Sequence, residues 1–145
     1  MGYYNPKHFA VTEFIPPEIF NVIGVNSLLV MDDRILRIAD AVRDYFDVPV
    51  TINNWNAGGQ FSQRGFRTVQ QAGGAGHSPH FYGRAIDFDV QGMTADHVRA
   101  EIIAERNHGD FSLITGMEIG IEWVHLDCDN RYSPYGNIVT FGKPT

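Results

Sequence analysis

The sequence lacks the residues that would cross-link a small protein covalently. It has a single cysteine, Cys128, so no disulfide can form within the chain. It also lacks a long hydrophobic run: residues 22–31 form the longest apolar stretch, which polar residues interrupt and which is far too short to cross a membrane. The N-terminal residues are polar and contain no apolar signal segment. We therefore expect a protein that is cytoplasmic as synthesised.

Positive charge is also scarce. The chain has 11 Lys and Arg against 17 Asp and Glu, which gives a net charge of −6 at pH 7. Such a chain lacks the positive field on which nucleic-acid binding depends, and no basic amphipathic stretch indicates membrane docking. We expect neither nucleic acid nor a membrane as a partner, and no obligate protein partner is evident.

The residues that are present fit one globular domain spanning 1–145. Hydrophobic residues make up 43% of the chain and aromatic residues 12%, which is enough for a proper core at this length. Apolar positions at helical spacing predict a helix that begins at Asp32 or Asp33 and ends before Pro49. A further helix is predicted to begin at Thr94 and to run towards Arg106.

The remaining regular structure is predicted to be short strands. β-branched and apolar runs predict them at 50–52, 84–90, 112–114, 116–121, 123–127 and 138–141. The pattern predicts an α+β fold in which helices pack against a small, mostly antiparallel sheet. Residues 53–79 are rich in glycine, including Gly73, Gly74 and Gly76, and have no predicted element. A stretch of that length suggests function, and we expect it to form one wall of a cleft.

Two segments carry side chains that suit a metal ion. In the first, residues 78–87, His80 lies at the end of the glycine-rich stretch and Asp87 lies within an apolar strand. In the second, residues 122–127, Glu122 precedes His125 by three positions. Catalytic zinc takes three ligands from His, Asp, Glu or Cys and keeps one position for water.

Each of these residues also has a structural interpretation. A lone histidine in an apolar strand is usually a core residue, and Asp87 alone could cap a turn or pair with Arg84. Glu122 alone could be an exposed strand residue. Asp127 could accept a hydrogen bond from the ring of His125, although a surface carboxylate is the simpler interpretation. The combination of both segments is what favours a metal site.

Together the segments resemble the zinc D-Ala-D-Ala and L-Ala-D-Glu peptidases, which are M15-like and share the Hedgehog/DD-peptidase fold. Those proteins have the pattern Ser-x-His-x-x-Gly-x-Ala-x-Asp, followed later by Glu-x-x-His. The pattern is matched here by Ser78, His80, Gly83, Ala85, Asp87, Glu122 and His125. The resemblance covers about residues 48–130. Within that family, the sequence is most similar in type to phage endolysins and bacterial cell-wall hydrolases.

The resemblance implies a role for each matched residue. His80, Asp87 and His125 would bind Zn²⁺, and Glu122 would act as the general base towards the attacking water. The family also places an arginine upstream, in a segment such as Gly-Phe-Arg, to stabilise the oxyanion. Arg67 in this sequence matches it, and Arg64 competes for the same role. Ser78 and Arg64 are further candidates for contacts with the substrate.

The resemblance also implies a function. We expect a zinc metallopeptidase that hydrolyses peptide bonds in the stem peptides of peptidoglycan, acting on the cell wall after release from the cytoplasm. Whether it would act as a D,D- or L,D-enzyme, and as a carboxypeptidase or an endopeptidase, stays open. The alternative is a zinc-binding domain of the same fold that has lost or changed its activity and serves as a cell-wall-binding or virion structural module.

Overall fold

The fold of this chain combines helices with one sheet. It is known from a computed structural model, which describes residues 3–72, 77–133 and 135–143. Within these residues the α helices are α1 (Pro17–Ile23), α2 (Asp33–Phe46) and α3 (Ala95–Ala104). The strands are β1 (Val50–Thr51), β2 (Ala85–Val90), β3 (Gly116–Ile119), β4 (Val124–Asp127) and β5 (Val139–Gly142). The predicted α+β class is confirmed.

The five strands form one sheet in the order β1-β2-β4-β3-β5. All neighbouring pairs are antiparallel except β3 and β5, which run parallel. The sheet is therefore mostly antiparallel, as predicted. Its register aligns four side chains in one row across the sheet, from β2 to β5: Asp87, His125, Glu118 and Phe141.

The two faces of the sheet differ in polarity because side chains alternate along each strand. One face is apolar, and α2 and α3 pack against it. Its fully buried side chains are Ile86, Phe88, Met117, Val124 and Leu126. The other face carries the polar row, including Asp87 and His125, which are also buried. Buried charged side chains need hydrogen-bond or ion-pair partners, and Asp87 and His125 find theirs in the candidate site described below.

Helix α2 forms where its sequence pattern predicts it. The side chain of Asp32 accepts a hydrogen bond from the backbone N–H of Arg34 and caps the first turn. The helix ends at Phe46, where Asp47 adopts a left-handed backbone conformation with φ of 55°. Helix α3 begins after Thr94, whose hydroxyl accepts from the N–H of His97. It ends at Ala104, slightly before the predicted end.

Two parts of the predicted secondary structure differ from the fold. Residues 112–114, which were predicted as a strand, lie in and directly after a 3-10 helix, Gly109–Leu113, which packs against α2 and buries Phe111. The pairing needed for a strand is absent there, because β3 takes its place beside β4. The stretch 53–79 has one short 3-10 helix, Trp55–Ala57, and is otherwise irregular among its described residues. Gly73, Gly74 and Gly76 lie outside the described residues.

Candidate metal centre

The polar face of the sheet brings together three residues that were predicted as ligands. His80, Asp87 and His125 are all buried, and one ligand atom from each lies within 4.8 Å of the other two. Asp87 Oδ1 is 2.9 Å from His125 Nδ1 and 3.3 Å from His80 Nε2. Asp87 and His125 meet because they are register partners on β2 and β4.

His80 reaches the sheet from the turn that precedes β2. The turn packs tightly on the segment before α2: Gly83 has φ of 68°, and a Cβ at this position would clash with the carbonyl of Val30. Only glycine combines that backbone conformation with so close an approach. The N–H of Asp32 donates to the carbonyl of Gly83 at 2.9 Å and fixes the turn. The presence of glycine at position 83 of the motif is therefore explained by the close packing of the turn.

The ring of His80 is oriented by the glycine-rich stretch. His80 Nδ1 lies 2.8 Å from the carbonyl oxygen of Gly65 and must carry the hydrogen, since a carbonyl only accepts. Nε2 is therefore the nitrogen that faces Asp87, 3.3 Å from Oδ1. Gly65 is held in turn by Phe14: the N–H of Phe66 donates to the Phe14 carbonyl at 2.8 Å, and a Cβ on Gly65 would clash with that oxygen. One wall of the site is thus built on the N-terminal segment.

The ring of His125 is oriented by a second carboxylate. His125 Nε2 is 2.9 Å from Asp127 Oδ2, while Nδ1 faces Asp87. Asp127 is 0% exposed, so the simpler reading from sequence, a surface carboxylate, is wrong. Arg131 neutralises it with two hydrogen bonds, of 2.9 Å from Nε and 2.8 Å from Nη2. Cys128, next in the chain, is buried, and its Sγ is not among the clustered ligand atoms.

The site holds its charges through these contacts. Burial works against a charged Asp87, but hydrogen bonds from His125 and His80 outweigh it and hold the pKa of Asp87 well below its usual range. Burial likewise works against a charged His125, but its bonds to Asp127 and Asp87 raise the pKa of that imidazole to about 9. A cation that binds at Nδ1 therefore has to displace a proton.

The donor set fits a zinc ion of the catalytic type. Two imidazoles and one carboxylate form the cluster, and within the described part of the chain no fourth His, Cys, Asp or Glu joins it. Three protein ligands with a free fourth position distinguish catalytic zinc sites from structural ones. Both rings also donate their other N–H to a fixed oxygen, as metal-binding histidines usually do.

The two candidate arginines have different partners. Arg67 Nη2 donates to Asp87 Oδ2 at 2.9 Å, and its Nε donates to the carbonyl of Gln63 at 2.7 Å, so its guanidinium lies beside the cluster. Arg64 instead donates to Asp89 Oδ2 at 2.7 Å and stacks on Phe61 at 3.6 Å from the ring centroid. Its backbone carbonyl accepts from the N–H of Asp87 at 2.7 Å.

Two cavities meet at the cluster. One, of about 230 Å³, is lined by all three candidate ligands and by Ser78, Glu118 and Arg131, among others. The other, of about 290 Å³, is formed largely by residues 60–64 of the glycine-rich stretch. Arg67, Asp87 and Trp123 line both cavities. The cluster therefore lines one cavity and adjoins a second one at Asp87.

The predicted base, Glu122, faces a different part of the surface. It is exposed and lines a separate cavity of about 360 Å³ beside α3. Arg99 donates to the carbonyls of Ile121 and Trp123 at 3.1 and 2.9 Å and so fixes the backbone on both sides of Glu122. Trp123 lines the cavity of the cluster, and Glu122 lines the cavity beside α3.

Glu118 is the acidic residue that the sequence interpretation missed. It lies opposite His125 in the register, is half-buried, and lines the cavity that contains the three ligands. Its carboxylate has no hydrogen bond or ion pair with any described residue. Only the pairing of β3 with β4 brings it to the site, and no local pattern in the sequence encodes that pairing.

The fold and the donor set define the class of the protein: a small α+β protein with a His-Asp-His centre suited to catalytic zinc. The family model for peptidase M15 matches residues 8–127, and the chain belongs to this family of zinc-dependent metallopeptidases. The predicted resemblance is thus confirmed at the level of the family. Neither curated proteins nor solved structures give a significant match. Among the described residues, no helix is long and apolar enough to cross a membrane.

Proposed function

We propose that the protein is a zinc peptidase that hydrolyses peptide bonds in the stem peptides of peptidoglycan. The observation that carries the proposal is the convergence of His80, Asp87 and His125 in a buried cluster at the junction of two cavities. Membership of the peptidase M15 family supports peptide hydrolysis. The choice of peptidoglycan rests on the resemblance of the two motifs to the D-Ala-D-Ala and L-Ala-D-Glu peptidases.

His80 Nε2, Asp87 Oδ1 and His125 Nδ1 are the atoms that would hold the ion. A bound zinc supplies Lewis acidity, which polarises the scissile carbonyl and lowers the pKa of a water towards ~7. Arg67 is the residue of the chain placed to stabilise the oxyanion. Its guanidinium is fixed by Gln63 and Asp87, so a donor is preorganised where negative charge develops.

The proton of the attacking water needs an acceptor, and two glutamates compete for this role. Glu122 is the residue that the Glu-x-x-His motif predicts. Glu118 is the residue that the register places beside His125 in the same cavity. A general base must lie within about 3 Å of the proton that it takes, directly or through one water. We assign the role to Glu118, because Glu118 lines the cavity that the three ligands share, whereas Glu122 lines a different cavity.

The substrate is proposed to lie across both cavities, with its scissile bond at the cluster. Phe61 and Trp123 provide apolar surface on one side, and Ser78 provides a hydroxyl on the other. The cavity of the cluster and the one that adjoins it at Asp87 together offer room for residues of a peptide next to the scissile bond. This supports a peptide as the substrate.

One observation favours a second candidate function. Because Glu122 faces α3, a chain whose only base were this residue would bind zinc and peptidoglycan without cleaving it. It would then serve as a cell-wall-binding or virion structural module of the same fold. Activity measurements separate the two functions directly.

The experiment combines metal analysis with digestion of a defined substrate. Purified protein is analysed for zinc by mass spectrometry and is then incubated with purified peptidoglycan, and released peptides are identified by mass. We expect zinc near one ion per chain and release of peptide. His125→Ala should lose both, whereas His97→Ala, an exposed histidine on α3, should retain both. Zinc without peptide release would favour the binding module, and absence of zinc would refute both functions.

A further inference from the structure

His125 is supported by a chain of contacts that continues beyond the residues matched by the family. Asp127 lies two positions further along β4 and points to the same face as His125. Its Oδ2 lies 2.9 Å from His125 Nε2, and both of its oxygens accept from Arg131. The Oδ1 oxygen also accepts from the backbone N–H of Asp129 at 3.3 Å. Both oxygens of the Asp127 carboxylate are therefore fixed by hydrogen bonds.

This arrangement determines which nitrogen of His125 is available. A carboxylate can only accept, so His125 Nε2 carries a hydrogen where it meets Asp127. Nδ1 is then the nitrogen that faces Asp87 and the cluster, and a cation binds there by replacing the hydrogen shared with Asp87. If Asp127 could rotate away, the imidazole would lose the contact that selects this orientation. The fork-like pairing with Arg131 prevents that rotation, because two parallel hydrogen bonds fix the plane of the carboxylate.

The fold provides space specifically for this pair. Gly116 lies opposite Asp127 in the register of β3 and β4, and a Cβ there would clash with Arg131 Nε and Asp127 Oδ1. Phe141 on β5 covers the pair from the other side: the Arg131 guanidinium lies 4.4 Å from its ring centroid. The same ring packs edge-on against His125, at 5.5 Å between centroids. Both Arg131 and Phe141 lie outside the matched residues 8–127.

We propose that Asp127 and Arg131 form a positioning pair that holds His125 in the orientation needed for zinc and so sets the affinity of the site. The pair acts through its contact with His125, although Arg131 also lines the cavity of the cluster, so its effect has to be measured on the metal rather than on turnover. The proposal rests on the proposed zinc site, and it adds a determinant outside the family motif. The competing explanation is an ion pair that only closes the turn after β4 and contributes to folding.

The test measures zinc affinity separately from activity. Protein stripped of metal is titrated with Zn²⁺ in competition with a chromogenic chelator, for wild type, Asp127→Asn, Arg131→Ala and Arg131→Lys. Loss of a residue that orients a ligand typically weakens metal affinity 10–100-fold, which we expect for Asp127→Asn. Arg131→Ala should weaken it several-fold. Arg131→Lys should not restore it, because lysine retains the charge without the planar fork.

Two further measurements exclude a purely structural role. The visible spectrum of the Co²⁺-substituted protein reports the geometry of the ligands and should change in Arg131→Ala and Arg131→Lys. Thermal melting of the metal-stripped proteins reports the fold. Asp129→Asn is the matched control, since this carboxylate lies in the same turn and pairs with Arg84 instead. It should leave the affinity and the spectrum unchanged.

The outcomes separate this inference from the proposed function. Wild-type protein that binds no zinc would overturn both. In a second outcome, the wild type binds zinc, and the Arg131 variants melt at a lower temperature but bind zinc within about twofold of the wild-type affinity. This outcome would overturn only the positioning pair. If Asp127→Asn does not fold, the two Arg131 variants test the inference on their own. The Arg131 side chain is partly exposed, so its replacement leaves the core intact.

Discussion

Glu118 and His125 lie directly opposite each other on β3 and β4, and both line the cavity of the candidate metal centre. The motif interpretation instead chose Glu122, three residues before His125. Glu118 lies on β3 and Glu122 in the bend between β3 and β4, so the same substitution at each position compares two glutamates of different placement.

Replacing Glu118 by glutamine should abolish most of the peptidase activity. The side chain keeps its size but can no longer accept a proton, and general-base catalysis typically contributes 10²–10⁴-fold. We expect a decrease of that order in kcat with zinc content unchanged, and at most a few-fold decrease for Glu122→Gln. Steady-state kinetics on an isolated stem peptide measure both. The opposite ranking would return the role to Glu122.

Replacing Arg67 by alanine should lower kcat by about 10²–10³-fold, the usual cost of losing one donor to the oxyanion. Arg64→Ala is the comparison, because Arg64 pairs with Asp89 rather than with a residue of the cluster. We expect less than a tenfold decrease for it. Equal losses in both variants would show that neither arginine contacts the transition state in particular.

Zinc binding should strengthen as the pH rises and level off near pH 9. The pKa of His125 is raised to about 9, so below that pH each ion has to displace a proton from this ring. Affinity measured by chelator competition between pH 6 and pH 10 tests the expectation. Asp127→Asn should shift the plateau to lower pH, because one of the two carboxylates that raise the pKa of His125 is then neutral. A flat profile in the wild type would contradict the assignment of Nδ1 as a ligand.

The stability of the metal-stripped protein should change with pH in the opposite direction. A histidine whose pKa is raised on folding contributes stability that is fully present below its unfolded pKa of about 6.5 and is lost as the pH rises through the folded pKa. Melting temperatures of the stripped protein should therefore decline between about pH 6.5 and pH 9. Saturating zinc should reduce or reverse this decline. His125→Ala, which has no such group, should show neither effect.

The sequence was a good guide wherever the determinants are local. The cap at Asp32 and the helical spacing of the apolar residues predicted α2, and the alternation around Asp87 predicted β2. The convergence of His80, Asp87 and His125 could also be predicted, because the chemistry of the donors and the family pattern agree. The roles of these and the other site residues, and the single-domain organisation over 1–145, stay predictions.

What the sequence could not provide depends on long-range pairing. Residues 112–114 have the composition of a strand but lie at a 3-10 helix, because β3 pairs with β4 instead. The same pairing brings Glu118 to the cavity of the cluster, whereas Glu122 lines a separate cavity, and its role as the base stays a prediction. Asp127 was read as a surface residue for the same reason: its burial depends on Arg131 and on the space left by Gly116.

The support of His80 by Gly65, and of Gly65 by Phe14, has a consequence for biosynthesis. Phe14 leaves the ribosome well before either histidine of the cluster, and His125 comes last. The scaffold of the site is therefore translated before its ligands, and the ion can be captured only once β4 has joined the sheet. Loss of the segment around Phe14 would leave every ligand in the chain. It would, however, remove the support of Gly65, whose carbonyl orients the ring of His80.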